Sequence, residues 1–462
     1  MQTYNLGYDN FGNQTFFKIG DTYTLASYTY GPANGNLTKL QYGNSQYVDY
    51  TYDTLARITS EMYNNGTSST TYNYRYTGDG QLFSVTDSAS GRTFVNQYDS
   101  LGRVTGYTER SGSDLVQTGS INYDKASRVS REDYSVSGFD GRFYAYNYNP
   151  DNGNLLTLHT PDDVTTNYLY DPLHRLVLKD NGLFYAEYSY TPGAGTNATT
   201  ALPSSLSYSS QGTPWYSTSY IYDQIGNISS QTASDGTIGY TYDAQSQLTR
   251  EEYDAINYYT YTYDTYGNIR SKNRTENGST TTKSFTYGDS IWRDKLAAYN
   301  GSGISYDNAG NPTYYYDGTS FTWMQGRRLA TANNFSKGLS VSYAYNPDGL
   351  RLRQTVNGMV HNYVWQGNKL LTESYGTIRL EFMYDETGSP CGFIYNGTPY
   401  YYIINLQGDV IQVRDTEGTV QAEYRYNAWG EILSSSGSLA SINPIRYRGY
   451  YYDAETGLYC VG

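Results

Sequence analysis

Residues 261–269 read YTYDTYGNI, and this stretch decides the fold because the chain repeats it along its length. Tyr261 and Tyr263 lie two residues apart, so in an extended strand both rings project from one face. Asp264 and Gly267 have the spacing favoured at the first and fourth positions of a type I turn, where the aspartate caps the turn and glycine adopts a left-handed conformation. The stretch therefore predicts a strand, a tight turn and a returning strand.

The aspartate and glycine keep their spacing in many copies of this unit. They recur at Asp9 and Gly12, Asp99 and Gly102, Asp223 and Gly226, Asp307 and Gly310, and Asp385 and Gly388, with asparagine at Asn346 and Asn427. Other residues replace the glycine at Ala56, Ser127, His174 and Ser246, which predicts a less ideal geometry in those turns. Successive copies place a tyrosine at intervals of 22, 22, 22, 24 and 25 residues, at Tyr8, Tyr30, Tyr52, Tyr74, Tyr98 and Tyr123. A period of this length indicates a repeat architecture.

The composition fits a thin sheet of many strands. The 462 residues include 59 tyrosines but 13 phenylalanines and 5 tryptophans, so most aromatic rings carry a hydroxyl and can stand half in water. Each repeat unit needs its neighbours to bury its apolar face, because an isolated hairpin is only marginally stable in water. We therefore expect one continuous all-β body with almost no helix.

Charge and hydropathy exclude several classes of partner. The net charge of −13 disfavours nucleic acid and anionic lipid, because binding to either depends on lysine and arginine. There is no apolar run near the roughly 20 residues that cross a bilayer, and the first residues do not resemble a signal peptide. Cys391 and Cys460 are too few for a disulfide framework and are not spaced as a metal site.

Some segments depart from the repeat. Residues 191–219 break its rhythm and are interpreted as an elongated surface loop or hairpin, with a binding loop as the alternative. Residues 271–283 predict a polar hairpin tip around Asn277 and Gly278. Trp292, Trp323 and Trp365 fall at or near the tyrosine positions of the repeat, which indicates packing between strands more than sugar stacking.

We assign no catalytic, cofactor-binding or metal-binding residue from the sequence. It contains no nucleophile elbow, no phosphate loop and no zinc-protease motif. His159, His174 and His361 are scattered, and His174 falls in the glycine position of a turn, where histidine tolerates a positive φ. Paired carboxylates for glycoside cleavage and stacked Asp and Asn turns for Ca²⁺ are weaker alternatives, because turn capping already explains these residues.

The last part of the chain carries a specific resemblance. It contains YYYIINLQGDV at residues 400–410, YRYNAWGE at 424–431, NPIRYRGYYYD at 443–453 and ETGLY at 455–459. Together with the upstream repeats, this run resembles the core of bacterial Rhs and YD-repeat proteins. The resemblance implies a long antiparallel β-sheet that spirals into a hollow shell around a C-terminal toxin, related to the YD shell of teneurins. It also implies YD repeats over residues 1–399 and an Rhs core over residues 400–462, truncated before the cleavage site and effector.

These observations give an ordered set of functional hypotheses. The first is a non-catalytic structural segment of an Rhs/YD-repeat polymorphic toxin or wall-associated protein, which encloses or presents a C-terminal effector. The expected partner is then that effector, absent from this sequence, in a parent protein that is secreted or attached to the cell surface or cell wall. The alternative is a solenoid that binds cell-surface carbohydrate with its tyrosines. An enzyme ranks last, and no cofactor, nucleic-acid partner or membrane span is expected.

Overall fold

The computed structural model describes residues 3–195 and 198–460, and within them almost all regular structure is β-strand. The described helical segments are two single 3-10 turns, Phe335–Lys337 and Tyr447–Gly449. The all-β prediction is therefore confirmed. The interrupted stretch at residues 191–219 belongs to long paired strands, so the hairpin interpretation is correct for its described part, while residues 196 and 197 lie outside the described residues.

The first sheet extends from residue 4 to residue 303, and each of its strands pairs antiparallel with the next one in the chain. Its described strands are β1 Tyr4–Tyr8, β2 Gln14–Ile19, β3 Tyr23–Tyr30, β4 Leu37–Tyr42, β5 Tyr47–Tyr52, β6 Ile58–Asn64, β7 Ser69–Tyr76, β8 Leu82–Asp87, β9 Arg92–Tyr98, β10 Val104–Ser111, β11 Asp114–Tyr123, β12 Val129–Val136, β13 Arg142–Tyr148, β14 Leu155–His159, β15 Thr165–Tyr170, β16 Leu176–Asp180, β17 Tyr185–Pro192, β18 Thr199–Ser210, β19 Thr213–Tyr222, β20 Ile228–Ala233, β21 Gly236–Tyr242, β22 Leu248–Asp254, β23 Asn257–Tyr263, β24 Ile269–Glu276, β25 Ser279–Thr286, β26 Ala298–Tyr299 and β27 Ser302–Gly303.

The second sheet has the same sequential antiparallel order and extends from residue 305 to residue 436. Its described strands are β28 Ser305–Tyr306, β29 Pro312–Tyr314, β30 Ser320–Met324, β31 Arg328–Asn334, β32 Leu339–Tyr345, β33 Arg351–Val356, β34 Met359–Gln366, β35 Lys369–Tyr375, β36 Ile378–Tyr384, β37 Pro390–Tyr395, β38 Thr398–Ile404, β39 Val410–Arg414, β40 Val420–Tyr426 and β41 Ile432–Ser436. A final hairpin pairs β42 Tyr451–Asp453 with β43 Leu458–Cys460. The ladder breaks between the two sheets at Ile304, and the predicted domain boundary at 399/400, which falls inside β38, stays a prediction.

Side chains alternate across the first sheet as the repeat predicts. In β23, Tyr261 is buried and Tyr263 is half-buried, while Thr262 between them is exposed. The residue between the two positions is likewise exposed in most other copies in this sheet, as at Thr51, Asn147 and Thr241. We call the side that carries the paired tyrosines the tyrosine face. One side of the first sheet therefore packs inward and the other faces water.

The first sheet returns to its own beginning. The Tyr4 hydroxyl donates to Asp294 at 2.7 Å, and the Tyr23 hydroxyl donates to Asp289, so the first strands contact the segment that follows β25. Twenty-seven described strands therefore make one full turn of a spiral. The spiralling sheet inferred from the resemblance is confirmed, with one break in its ladder.

The second sheet forms a narrower turn alongside the first. Contacts between the two turns join residues that are progressively closer in the chain. Asn44 and Gly326 are 282 residues apart, and Arg142 and Glu381 are 239 apart. Lys179 and Asp385 are 206 residues apart, and Lys272 and Glu431 are 159 apart. Between the first and last of these contacts the first turn uses β5 to β24, and the second uses only β31 to β40. The second turn therefore covers the same arc with half as many strands, which gives it a smaller circumference.

The second sheet is covered on both faces. Its Val364 and Leu371 pack against Tyr144 and Tyr168 on the tyrosine face of the first sheet. Its opposite face, which includes Phe382, is covered by residues 437–460, which we call the closing segment. This double burial explains why β36 and β38 each contain a run of consecutive buried residues, whereas strands of the first sheet alternate.

Candidate functional site

The predicted turn is present in the repeat unit that opened the sequence analysis. The backbone N–H groups of Tyr266 and Asn268 donate to Asp264 Oδ1 at 2.8 and 3.0 Å, and the Asn268 side chain donates to Oδ2 at 3.0 Å. Gly267 has a φ of 87° and donates its N–H to the Asp264 carbonyl. Burial alone would raise the pKa of Asp264, but these donors lower it. The aspartate therefore holds the turn together as an ionised cap.

Turns without glycine keep the same geometry. Ala56, Ser127, His174 and Ser246 have φ values of 60, 63, 61 and 60°, and each donates its N–H to the aspartate carbonyl as glycine does. The prediction of a less ideal geometry holds, because the turn keeps its form while a residue with a side chain is held in a strained left-handed conformation. His174 is exposed, as predicted for a turn position.

Three of these replacements link one turn to the next. Arg103 Nη1 donates to Ser127 Oγ at 3.0 Å, and Asn227 Nδ2 donates to Ser246 Oγ at 3.3 Å. The Asn154 amide lies 3.2 Å from His174 Nδ1. At these positions the polar side chain forms a contact with the neighbouring turn that a glycine side chain could not form. The sequence motif alone did not predict these contacts.

The second tyrosine of most repeat units bonds to the preceding hairpin. Tyr263 donates its hydroxyl hydrogen to the carbonyl of Leu248, the first residue of β22, at 2.8 Å. Equivalent bonds of 2.7 to 3.1 Å join Tyr30 to Gln14, Tyr52 to Leu37, Tyr76 to Ile58, Tyr98 to Leu82, Tyr123 to Val104, Tyr190 to Leu176, Tyr222 to Pro203, Tyr242 to Ile228, Tyr345 to Leu329, Tyr384 to Leu370 and Tyr426 to Val410. Phenylalanine could supply the ring but not this bond, which explains the excess of tyrosine.

Tryptophan takes over the same role twice. Trp323 Nε1 donates to the Pro312 carbonyl, and Trp365 Nε1 donates to the Arg351 carbonyl, both at 2.6 Å. Trp292 instead packs against Tyr23, with ring centroids 5.6 Å apart. All three tryptophans therefore serve packing between elements, as their positions in the repeat predicted.

A buried polar cluster fixes the closing segment to the second sheet. Asp453 forms a two-bond ion pair with Arg351 at 2.6 and 2.7 Å. The Tyr451 hydroxyl donates to Glu373 at 2.8 Å, and His361 Nδ1 lies 2.9 Å from the same carboxylate. Sequence reasoning missed this cluster, because these residues are far apart in the chain and match no motif.

The described residues contain no group of three or more His, Cys, Asp and Glu side chains arranged to hold a metal ion. His159 and His174 lie apart from His361 on the first sheet, where His159 stacks on Phe143. Cys391 is half-buried and Cys460 is exposed, and both are free thiols. The three histidines are not brought together.

A cavity of about 840 Å³ lies between the two turns, beside the closing segment. Its walls include Tyr240 and Gln247 from the first sheet, and Trp429, Tyr447 and Arg448 from the second turn and the closing segment. Arg448 has a φ of 51° and its guanidinium carbon lies 5.3 Å from the ring centroid of Tyr447. The cavity therefore combines aromatic walls with amide and charged groups, a mixture that suits a small polar ligand.

One acidic residue of the cavity is strongly shielded from water. Burial raises the pKa of Asp409, although the Asn405 side chain and the Arg448 backbone N–H both donate to its carboxylate. On the cavity wall, Arg425 pairs with Asp235 of the first sheet at 3.3 Å. These contacts tie the two turns and the closing segment together around the cavity.

The part of the chain that the structure describes has no helix with the length and apolar character needed to span a membrane.

Comparison with known proteins gives concordant results. The sequence model of the family described as "Teneurin YD-shell" matches residues 196–462. The tRNA3(Ser)-specific nuclease WapA of Bacillus spizizenii is 32% identical over 225 residues, and the tRNA nuclease WapA of Bacillus subtilis strain 168 is 31% identical over 225 residues. Each alignment covers 47% of this chain and 9% of the relative, so the chain spans a small part of these proteins.

Two solved structures have a similar fold. The crystal structure of TcdB2-TccC3-TEV aligns with a TM-score of 0.76 and 16% identity, covering 99% of this chain and 26% of that one. The Tc holotoxin pore of Photorhabdus luminescens, with the mutation TccC3-D651A, aligns with a TM-score of 0.52 and 14% identity, covering 98% of this chain and 28% of that one. At these identities the likeness concerns the fold alone.

Proposed function

Because the chain belongs to the teneurin YD-shell family, we propose that it is a non-catalytic wall segment of an Rhs-type shell, which encloses or presents a C-terminal effector of the same parent polypeptide. The observation that carries this proposal is the course of the sheet. Its first turn returns to its own beginning, and its second, narrower turn packs along the tyrosine face of the first, so the sheet winds as a tapering spiral.

We propose that any catalytic activity of the effector resides outside residues 1–462. The Bacillus relatives are named as tRNA nucleases, and the alignment covers only 9% of each of them. A net charge of −13 makes this wall a poor surface for nucleic acid, whatever substrate the effector has. We therefore propose that the wall itself binds no nucleic acid and performs no catalysis.

We further propose that the parent is secreted or attached to the cell surface or cell wall, with YD repeats over residues 1–399 and an Rhs core over residues 400–462. A separate role for the later part of the chain is supported by the closing segment, which falls within residues 400–462 and covers one face of the second sheet. Fractionation of cells that produce the parent protein, followed by detection of this segment, tests the location.

Low-resolution electron microscopy and small-angle X-ray scattering test the wall. We expect a curved, hollow envelope with one wider end. A compact, filled envelope of the size expected for 462 residues would contradict the proposal. A reporter domain fused after residue 462 supplies a second readout, because a shell that encloses its cargo slows proteolysis of the reporter relative to the same reporter alone.

Carbohydrate binding is the second candidate, and the cavity between the turns is the observation that favours it. Tyr240, Tyr447 and Trp429 offer ring faces, while Gln247 and Arg448 offer donors to hydroxyl groups. A glycan array or cell-wall pull-down tests it: we expect saturable binding that Arg448→Ala weakens and that Tyr185→Phe, outside the cavity, leaves unchanged. Absence of binding would exclude carbohydrate binding and leave the wall as the one remaining candidate function.

A further inference from the structure

The sheet wall is incomplete beside β25. This strand has eight residues, but β26, its neighbour on the side away from β24, has two. β26 pairs with Phe285 and Thr286 only, so residues 279–283 form no described ladder on that side. Residues 279–284 are all exposed. A stretch of open strand edge therefore interrupts an otherwise paired sheet.

The register identifies the backbone groups that point into this opening. The Ser284 carbonyl accepts from Asn300 N–H and the Thr286 carbonyl accepts from Ala297 N–H, both at 2.7 Å and both on the β26 side. Backbone groups alternate in direction along a strand, so Thr280 and Thr282 also point to that side. Their two N–H and two C=O groups are therefore directed at the open edge.

The edge lacks most of the features that protect natural edge strands. Its residues include no proline, and its ladder with β24 contains no bulge. Lys283 is its only charged residue, and its Nζ is held 3.2 Å from Glu431 Oε1. The remaining residues from 279 to 284 are serine and threonine, which favour or tolerate extended pairing.

Charge near the edge favours an acidic partner. Lys283 lies directly across the ladder from Lys272, and Arg274 lies across from Thr281 on the same face. Glu431 and Glu276 offset two of these three positive charges. The surroundings are therefore slightly basic, although the protein as a whole carries −13. That overall charge also repels a second copy of the chain.

We propose that the open edge of β25 is a docking site for a linear peptide, which adds one extended strand along Thr280 and Thr282 and places an acidic side chain beside Lys283. The backbone bonds provide the attachment, as in other cases of strand addition to a sheet edge. The acidic residue sets the preference among peptides. This role is independent of what the shell encloses.

Peptide binding and amide exchange test the proposal on the full chain. The probe is a fluorescein-labelled heptapeptide of six threonines and one central glutamate. Its binding is followed by fluorescence anisotropy in 0.15 M salt, where long-range repulsion is largely screened. We expect saturable binding, and hydrogen exchange at Thr280 and Thr282 that is at least fivefold slower with peptide bound. The same peptide with lysine in place of glutamate should bind several-fold more weakly.

Two substitutions at one position separate backbone pairing from side-chain effects. Thr282→Pro removes an outward N–H while leaving the ladder with β24 intact, because edge positions whose N–H faces solvent tolerate proline. We expect at least tenfold weaker binding for Thr282→Pro and less than a twofold change for Thr282→Ala. Equal binding by both variants, or unchanged exchange at Thr280 and Thr282, would overturn the proposal. Dimerisation that Thr282→Pro abolishes would assign the edge to a second copy and overturn it too.

Discussion

At the scale of single residues, one hydroxyl group explains why this chain uses tyrosine so often. In most units the second tyrosine packs its ring against the neighbouring hairpin and also satisfies a carbonyl of that hairpin's returning strand. Buried or half-buried carbonyls are costly when unpaired, so the bond secures adjacent hairpins in one register.

Removing one such hydroxyl should have a measurable cost. We expect Tyr222→Phe to lower the free energy of unfolding by about 1 kcal/mol, because the ring stays but the 2.7 Å bond to the Pro203 carbonyl is lost. Urea denaturation measures this. Tyr185→Phe is the control, since Tyr185 is 39% exposed and the described residues give its hydroxyl no partner. Equal effects of the two substitutions would contradict the prediction.

The turns without glycine allow a matched pair of substitutions. Ala56→Gly should stabilise the protein by up to about 1 kcal/mol. The substitution relieves a left-handed conformation that costs alanine about 1–2 kcal/mol, but glycine loses about 0.5–1 kcal/mol more conformational entropy on folding. Ser127→Gly should gain less, since it also loses the bond from Arg103. Thermal or urea unfolding of both variants measures the difference. A larger gain at Ser127 would show that the bond contributes nothing.

At the scale of elements, the two turns are joined by isolated polar contacts in addition to apolar packing. Lys272 of β24 and Lys283 of β25 both contact Glu431 before β41. Burial would raise the pKa of Glu431, but its hydrogen bond to Lys272 and the charges of both lysines lower it to about 2. Burial lowers the pKa of Lys272, and Glu431 partly offsets this effect.

This contact gives the stability a pH dependence in acid. The folded pKa of about 2 lies below the unfolded value of about 4.3, so ionised Glu431 stabilises the fold above pH ~4.3 and the contribution is lost as the pH falls towards 2. We expect Glu431→Gln to cost about 1 kcal/mol at pH 7, a value that allows for solvent screening, and this cost should disappear below pH ~2. Urea titrations at several pH values measure this, with Glu417→Gln at an exposed turn as the control. A pH-independent cost would contradict it.

The closing segment depends on its buried ion pair. Asp453→Ala leaves the Arg351 guanidinium buried without its partner, which should cost about 3–5 kcal/mol and loosen residues 437–460. Limited trypsin digestion should then cut at Arg446, which is buried in the wild-type fold. The double substitution Arg351→Met with Asp453→Leu removes both charges and should restore much of the protection. Undiminished resistance of Asp453→Ala would show that apolar packing alone holds the segment.

At the scale of the whole molecule, the sequence predicted the local structure and missed the contacts between turns. Asp264 and Gly267 specify a turn within four residues, and sequential pairing follows from short connections. The contact between Lys179 and Asp385 joins residues 206 apart and has no counterpart in other repeats, so no periodic pattern reveals it. The cavity was missed for the same reason, because it forms only where the second turn meets the first. The buried Glu373 cluster was missed because it forms only when the closing segment packs on the second sheet.

The first turn relies on the second to cover its tyrosine face. Removing residues 304–462 should expose Tyr144, Leu158 and Tyr168, which pack against Val364 and Leu371. We expect the remaining chain to associate and to bind a hydrophobic dye, because exposed apolar faces and open strand edges promote aggregation. Sedimentation velocity compares it with the full chain. A stable monomer of the shortened chain, with unchanged tyrosine fluorescence, would contradict this view.

The steadily falling separation between contacting residues constrains how such a gene can change. Inserting one extra hairpin into the first turn would displace every later contact by two strand widths, about 10 Å, so Arg142 and Lys179 would no longer meet Glu381 and Asp385. Point substitutions at exposed positions carry no such penalty. Duplication or deletion of single units, the usual route by which open solenoids diversify, should therefore be disfavoured here unless both turns are altered together.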